Sequence, residues 1–196
     1  PYALSSFSFA EKEEGNPFAK GTQTNVNIGL DGKIGMTNDL TLDFTINPDF
    51  GQVEADPSAL ALDGFQIFFN EQRPFFIENA NIFSFAVANL DAGGSFGNDN
   101  LFYSRRIGSP PSGSVSIADG AYFKRPRFTN ILGAAKLSGK TKDGWSIGLM
   151  ETITSKEHVK VSLDGEETQK LVEPLSNYFV GRVSKDFKEG ASQIGI

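Results

Sequence analysis

A strict alternation of apolar and polar residues over residues 40–47 constrains this chain more than any other feature. A period of two is typical of a β-strand that has one apolar and one wet face. The apolar positions are Leu40, Leu42, Phe44 and Ile46, and the polar ones are Thr41, Asp43, Thr45 and Asn47.

The same alternation recurs over residues 26–30, 131–138, 145–154 and 179–187. Turn sequences separate these segments, and an Asp-Gly pair between alternating runs is a strong hairpin signal. The turns are Thr37-Asn38-Asp39, Lys142-Asp143-Gly144 and Lys188-Glu189-Gly190. In the segment from residue 131, the alternation predicts that Ile131, Gly133, Ala135 and Leu137 share one face and Leu132, Ala134, Lys136 and Ser138 the other. The pattern predicts an all-β, antiparallel protein.

The turns are short at one end of these hairpins, whereas long connections, residues 47–130 and 155–176, are expected at the other. Short turns, long loops and apolar-out strands of about 10 residues are typical of an outer-membrane β-barrel. Small or charged polar-face residues, namely Asp43, Lys136 and Lys185, and glycines within the strands favour a hydrated lumen. We expect Asp43, Thr45 and Lys136 to set the polarity of that lumen. A soluble antiparallel β-sandwich alternates in the same way and remains the alternative.

Composition removes several classes of protein. No run approaches the roughly 18 apolar residues of a membrane-spanning helix, and the chain has no Cys for a disulfide or a thiolate metal site. A net charge of −6 argues against nucleic acid as a partner. The N-terminus shows no signal peptide, and residues 193–196 resemble an unfinished strand, so we expect a fragment of a longer protein.

Seven of the 18 Phe residues lie within residues 65–85, where the strand pattern is lost. Asp56 before Pro57 predicts a helix N-cap, and we expect a short helix that ends before Arg73-Pro74. Such a segment cannot face lipid with unsatisfied backbone groups. We therefore expect it to fill the lumen as a plug or to cap its mouth, with its acids paired to Arg73, Arg105 and Arg106.

Four long motifs of the chain resemble one known family. They are residues 47–57, the Phe68-Phe69-x-Glu71-x-Arg73-Pro74-Phe75-Phe76-x-Glu78 run, residues 102–108 and residues 133–141. The chain departs from the family pattern at Asp63-Gly64 and at Asn70. The family is a domain of unknown function of Gram-negative cell envelopes that commonly follows a carbohydrate-binding-module family-nine-like domain and is regarded as an outer-membrane barrel.

The resemblance implies an N-terminal piece of an antiparallel transmembrane β-barrel, located in the outer membrane and in contact with lipid. We expect one domain over residues 1–196, with first strands at 20–47, a Phe-rich, partly helical plug or lid insert and long loops at 48–130, and further hairpins at 131–196. Glycan contact is expected only through a module that lies outside this chain. The implied role is scaffolding, transport or surface display.

The residues expected to build the plug come from these motifs, and we assign no cofactor and no metal. They are Asn47, Pro48, Asp49, Phe50, Glu54, Asp56, Phe69, Glu71, Arg73, Pro74, Phe75, Phe76, Glu78, Arg105 and Arg106. Asp49, Glu54 and Asp56 offer oxygen ligands for Ca²⁺ but not at EF-hand spacing, so capping and ion pairing are favoured.

The family offers no catalytic residue. For a surface glycan hydrolase, the first alternative function, Glu54 with Glu71 or Glu78 is the pair that the sequence offers. A soluble carbohydrate-binding β-sandwich is the second alternative. The three arginines, which suit bidentate contacts to phosphate or carboxylate groups, are assigned to internal salt bridges.

Overall fold

The computed structural model describes residues 1–48, 69–85, 100–188 and 191–196, and these fold mainly into antiparallel β-structure. The helical elements are a single-turn helix α1, Pro74–Ile77, and 3₁₀ turns at Ala80–Phe83 and Ser104–Arg106. The strands are β1 Tyr2–Phe9, β2 Thr22–Gly35, β3 Leu40–Ile46, β4 Tyr122–Lys124, β5 Ile131–Lys140, β6 Trp145–Thr154, β7 Glu157–Leu163, β8 Glu166–Glu173, β9 Ser176–Phe187 and β10 Ser192–Gly195.

Seven strands form one sheet in the order β1-β2-β3-β5-β6-β9-β10, and every neighbouring pair is antiparallel. A second sheet has the order β4-β7-β8. The predicted all-β class is confirmed. The predicted strands are confirmed as β2, β3, β5, β6 and β9, and the turns after β2 and β5 lie where the sequence places them.

The expected start of the strands at residue 20 is wrong, because β1 begins at Tyr2 and pairs with β2 along its whole length. Residues 155–176 are not a long connection either, since they contain the hairpin β7–β8. Asp164 and Gly165 join its strands with φ angles of 51° and 84°, as a two-residue type I′ turn requires. The segment 48–130 also contributes a strand, β4, which pairs with β7.

The short helix expected before Arg73-Pro74 is not found in its described part, because residues 69–73 are not helical. Helix α1 instead begins at Pro74, the first helical position, where the missing N–H of proline costs no hydrogen bond. The predicted N-cap at Asp56 lies outside the described residues.

The outward face of the seven-stranded sheet is mainly apolar, and much of it is exposed. Two charged residues also lie on it, since Glu151 is paired with Ala135 and Phe179, and Lys185, predicted to face the lumen, is paired with Trp145. One row of registered neighbours crosses four strands as Ile34, Leu42, Leu137 and Leu149. Exposed apolar side chains on this face include Val26, Ile28, Ile46, Leu132, Trp145, Ile153, Phe179 and Phe187. The term outward face is used below for this surface.

The face predicted for Ile131 is wrong, because the pairing of β5 with β6 shifts by one residue between Ile131 and Gly133. This bulge reverses the phase of the alternation. Ile131 is therefore buried on the same side as Ala134 and Lys136, whereas Leu132 is exposed.

The opposite, inward face is polar and buried. Its buried polar side chains are Asp43, Thr45, Lys136, Ser138, Thr152, Thr154 and Ser184, and Ala134 and Met150 are buried there as well. Residues 69–85 and 100–107, which we call the covering segment, pack over part of this face. Their apolar side chains form a core with Ile131 of β5 and Met150 of β6. The buried residues of this core are Phe76, Ile82, Phe83, Ile107, Ile131 and Met150. A smaller core of Val159, Val161 and Val172 lies under the second sheet.

Candidate functional site

The contact between the inward face and the covering segment contains most of the buried charge of the described chain. Lys33, Asp43 and Lys136 are registered neighbours on β2, β3 and β5, so their signs alternate along one row. Asp43 Oδ1 lies 3.5 Å from Lys33 Nζ, and Asp43 Oδ2 lies 3.8 Å from Lys136 Nζ. Cross-strand pairs of opposite charge stabilise a sheet.

Lys136 joins this row to the covering segment. Its side chain is 1% exposed, and its Nζ donates to the carbonyl oxygens of Phe75 at 2.5 Å and Glu78 at 2.7 Å. The same ammonium lies 4.9 Å from the centre of the Phe75 ring. A charge withdrawn from water needs such partners, so Lys136 is stable in this position only when the covering segment is in place.

Glu78 reaches the other end of the row, where its carboxylate accepts a hydrogen bond from Lys33 Nζ. This hydrogen bond is the main reason that the pKa of Glu78 lies below its usual value. A cavity of about 520 Å³ opens beside the row, and its walls include Asp31, Lys33, Asp43 and Glu78.

Arg73 organises the interior of the covering segment. It is 7% exposed and binds Glu71 in a bidentate manner, with Nε–Oε1 at 2.8 Å and Nη2–Oε2 at 2.6 Å. The remaining donors reach the carbonyl oxygens of Ile107 at 2.6 Å and Ser104 at 2.8 Å. Because a planar guanidinium suits this fork geometry, Arg73 links residues 71–73 to residues 104–107.

Burial alone would raise the pKa of the Glu71 carboxyl, and it is the largest single influence on that group. The hydrogen bonds and charge of Arg73, together with the Ser104 hydroxyl at 2.5 Å, outweigh burial. The pKa of Glu71 is therefore below its usual value, and the residue is a carboxylate at neutral pH.

A further anchor holds the 3₁₀ turn at Ala80–Phe83 against β6 and β9. Arg182 Nη1 donates to the Ile82 carbonyl at 2.9 Å, and Asn79 Nδ2 donates to the Ser138 hydroxyl at 2.9 Å. Gly148 lies directly beneath this turn, where a Cβ atom would come within 2.8 Å of Ile82 Cγ2. The close approach explains why β6 has no side chain at this position.

The start of the covering segment is fixed by two residues of its later part. The Tyr103 hydroxyl hydrogen-bonds both the amide nitrogen and the carbonyl oxygen of Phe69, at 3.0 and 3.1 Å. Arg105 Nη1 donates to the Asn70 carbonyl at 2.6 Å, and its guanidinium lies 5.7 Å from the Phe69 ring centre.

Asn47 ends β3 in a left-handed conformation, with φ at 48°, which asparagine adopts more readily than most residues. Its side-chain amide binds Asn27 Oδ1 and the Ile28 carbonyl, both at 2.6 Å, and its carbonyl accepts the Tyr2 hydroxyl at 3.0 Å. This residue therefore connects β1, β2 and β3 where the chain leaves the sheet.

The structure brings Glu71, Arg73, Pro74, Phe75, Phe76 and Glu78 together where the covering segment meets the inward face. Arg73 and Phe76 are buried there, whereas Pro74 and Glu78 are exposed. Phe69 and Arg105 lie beside it, Arg106 is exposed, and Pro48 lines the cavity. The remaining candidates, Asp49, Phe50, Glu54 and Asp56, lie outside the described residues.

Sequence reasoning missed three residues that hold the covering segment, namely Lys33, Tyr103 and Arg182. Lys33 shares a strand face with Asp31, so its inward position followed from the alternation of β2. No sequence signal placed Tyr103 or Arg182, because both bind backbone atoms of residues distant in the chain.

The described residues contain no group of three or more His, Cys, Asp or Glu side chains placed to hold a metal ion. Every helix in the described ranges is too short to cross a bilayer.

Comparison with known proteins gave one family. No curated protein matches the chain, and no solved structure matches it either. The family model that does match covers residues 1–195 and carries the description "Domain of unknown function (DUF5916)". The chain therefore belongs to this family of domains of unknown function.

Proposed function

We propose that the seven-stranded sheet is part of the wall of an outer-membrane β-barrel and that the covering segment is a plug on its lumen side. The protein would serve as a scaffold, in transport or in surface display. One observation carries the proposal: apolar side chains are exposed on the outward face while polar ones are buried on the inward face. Strands that alternate apolar-out and polar-in are the pattern of a membrane barrel.

The energetics of the outward face support lipid as its partner. Burying one Leu or Ile side chain stabilises a protein by about 1.5–3 kcal/mol. Leu149, Ile153 and Phe179 remain 37%, 38% and 66% exposed in the described chain. Contiguous apolar surfaces of this kind mark protein or membrane contacts, and a bilayer would cover the whole face.

The inward face supports the plug. A segment without strands is tolerated at membrane depth when protein surrounds it and satisfies its backbone. Lys136, Arg182 and Arg105 donate to carbonyl oxygens of the covering segment, and Arg73 supplies two more such bonds. These cationic side chains therefore satisfy backbone carbonyl oxygens of the covering segment that receive no hydrogen bond from the backbone of a described strand.

The contacts of the carboxylates favour this role over glycan hydrolysis. A glycosidase needs a general acid whose pKa is raised, whereas the pKa values of Glu71 and Glu78 are both lowered. Both groups are also held in ion pairs, with Arg73 and Lys33. Their geometry suits fixing the plug, with Asp43, Thr45 and Lys136 providing the polarity beneath it.

Site-directed fluorescence tests the proposal, because the chain has no cysteine of its own. In the full-length protein in lipid vesicles, bimane would be attached to Leu42→Cys or Leu149→Cys, two members of the row that crosses the outward face. We expect lipids brominated on their acyl chains to quench both labels strongly, while iodide in the water leaves them bright.

The control is Lys142→Cys, in the exposed turn between β5 and β6, where iodide should quench and brominated lipid should not. A protein that stays folded and monomeric without detergent, with iodide quenching at positions 42 and 149, would show that the sheet belongs to a soluble fold.

A further inference from the structure

A basic cleft lies away from the covering segment, between the β1–β2 hairpin and the second sheet. Its volume is about 1010 Å³. Its cationic wall consists of Lys124, Arg125, Arg127 and Lys160, with His158 beside them, and none of the described residues that line it is a carboxylate. In a chain of net charge −6, such a concentration of one sign is unusual and attracts anions.

Two of these cations are placed at an electrostatic cost. Lys124 on β4 and Lys160 on β7 are directly opposed in the strand register, and like charges in that position destabilise a sheet. Lys124 donates to the Gln23 side-chain oxygen at 3.2 Å. Within the described chain neither lysine has an ion pair, and neither does Arg127.

Arg125 has a structural role in this wall, because it donates to the carbonyl oxygens of Pro111 and Gly113 at 2.6 and 2.8 Å. It holds the loop that precedes β4 and so shapes this wall. An adjoining cavity of about 320 Å³ shares Lys124 and Lys160 and is also lined by Lys20 and Glu167.

The rest of the cleft offers ring faces and neutral polar groups. Phe128 lines the cleft beside Arg127 and is 42% exposed. Phe123 is opposite Val161 in the register, so its side chain lies on the other face of the sheet from Lys124 and Lys160. The opposite wall carries hydroxyl and amide side chains, namely Ser8, Asn16, Gln23 and Asn25. Ser8 and Gln23 are cross-strand partners on β1 and β2, so this wall continues the polar face of the sheet.

We propose that this cleft binds an anionic oligosaccharide. Lys124, Arg127 and Lys160 hold its carboxylate or sulfate groups, and Phe128 packs against a sugar ring. Charge-assisted hydrogen bonds supply affinity, and the amides of the opposite wall match sugar hydroxyls. The inference does not depend on the barrel proposal, because the cleft is formed by the first hairpin, the second sheet and the connection between β4 and β5.

Calorimetric titration of the full-length folded protein with hexagalacturonate tests the proposal, and maltohexaose is the neutral control. We expect saturable binding of the acidic hexasaccharide only, weakened by salt. Lys124→Gln and Lys160→Gln should each raise Kd about fivefold or more, as the loss of one charge-assisted contact implies. Both variants should be at least as stable as the wild type, because each relieves the opposed charges.

Lys142→Gln changes the net charge equally at a distant turn and should leave Kd unchanged. Phe128→Ala should weaken binding without changing its salt dependence. Equal binding of maltohexaose, equal loss in Lys142→Gln, no binding of hexagalacturonate, or tighter binding of a hexathymidylate oligonucleotide would each overturn the proposal.

Discussion

The inward and outward faces of the seven-stranded sheet are formed by the same strands, yet they bury opposite kinds of side chain. On β5 the inward residues Lys136 and Ser138 are each 1% exposed, while Leu132, on the outward face, is 45% exposed. A sheet in a water-soluble protein shows the reverse arrangement. The difference shows that the stability of this protein depends on what covers each face, and substitutions on the two faces should therefore respond differently.

The largest effect is expected on the inward face, from Lys136→Met. The substitution leaves Asp43 with Lys33 as its only cation in the row and leaves the carbonyls of Phe75 and Glu78 without their donor. Removing one partner of a buried pair costs about 3–5 kcal/mol. Urea unfolding in detergent or lipid measures this loss in the free energy of unfolding.

Lys140→Met is the matched control, since Lys140 follows on the same face of β5 and pairs with Asp186 while 57% exposed. An exposed pair contributes about 0–1 kcal/mol. Equal losses in the two variants would mean that the covering segment is not held through Lys136.

The second prediction concerns the outward face. In lipid, Leu149→Arg should lower the free energy of unfolding by about 2–4 kcal/mol, because a charge near the middle of a bilayer is poorly solvated. Leu163→Arg is the control, because Leu163 has almost the same exposure, 39% against 37%, but lies in the second sheet. There the change should stay within about 0.5 kcal/mol.

Equal small effects at positions 149 and 163 would contradict lipid contact at the outward face. Unfolding curves in vesicles, recorded for both variants under the same conditions, provide the comparison.

The smallest change in stability is expected from replacing a glycine by alanine, and two glycines on adjacent strands should respond differently. Gly148→Ala adds a methyl group within 2.8 Å of Ile82 Cγ2 and 3.0 Å of the Phe83 ring, and overpacking of this kind costs about 1–3 kcal/mol. At Gly181, on the outward face, the nearest atom would be Leu149 Cδ2 at 3.4 Å.

Gly181→Ala should therefore be neutral or stabilise the protein by up to about 1 kcal/mol. Thermal unfolding of both variants measures the difference. If Gly148→Ala were as mild as Gly181→Ala, the 3₁₀ turn at Ala80–Phe83 would not pack tightly on β6.

The strands could be predicted from local sequence wherever alternation was uninterrupted, as over residues 40–47. The bulge at Ile131 was not visible, because an extra residue leaves the alternating letters intact while changing which face they occupy. The hairpin β7–β8 was predictable in principle, since Asp164-Gly165 carries the same turn signal as Asp143-Gly144. Its strands were missed because polar residues dominate β8.

The candidate site was predictable only in part, for a physical reason. Glu71 and Arg73 lie two residues apart, and their pairing follows from the local chain. The partners of Lys136 are main-chain oxygens about 60 positions earlier, and a backbone carbonyl has no signature in the sequence. Only the folded position of the covering segment reveals them.

The way Lys136 holds Phe75 and Glu78 has an evolutionary consequence. The lysine binds their carbonyl oxygens, which every amino acid possesses. These two hydrogen bonds therefore tolerate amino-acid substitutions at positions 75 and 78. The bonds require only that the turn keeps its path and that position 136 keeps a long cation. Variation in natural sequences should therefore be asymmetric, with more freedom in the side chains that are held than in the residue that holds them.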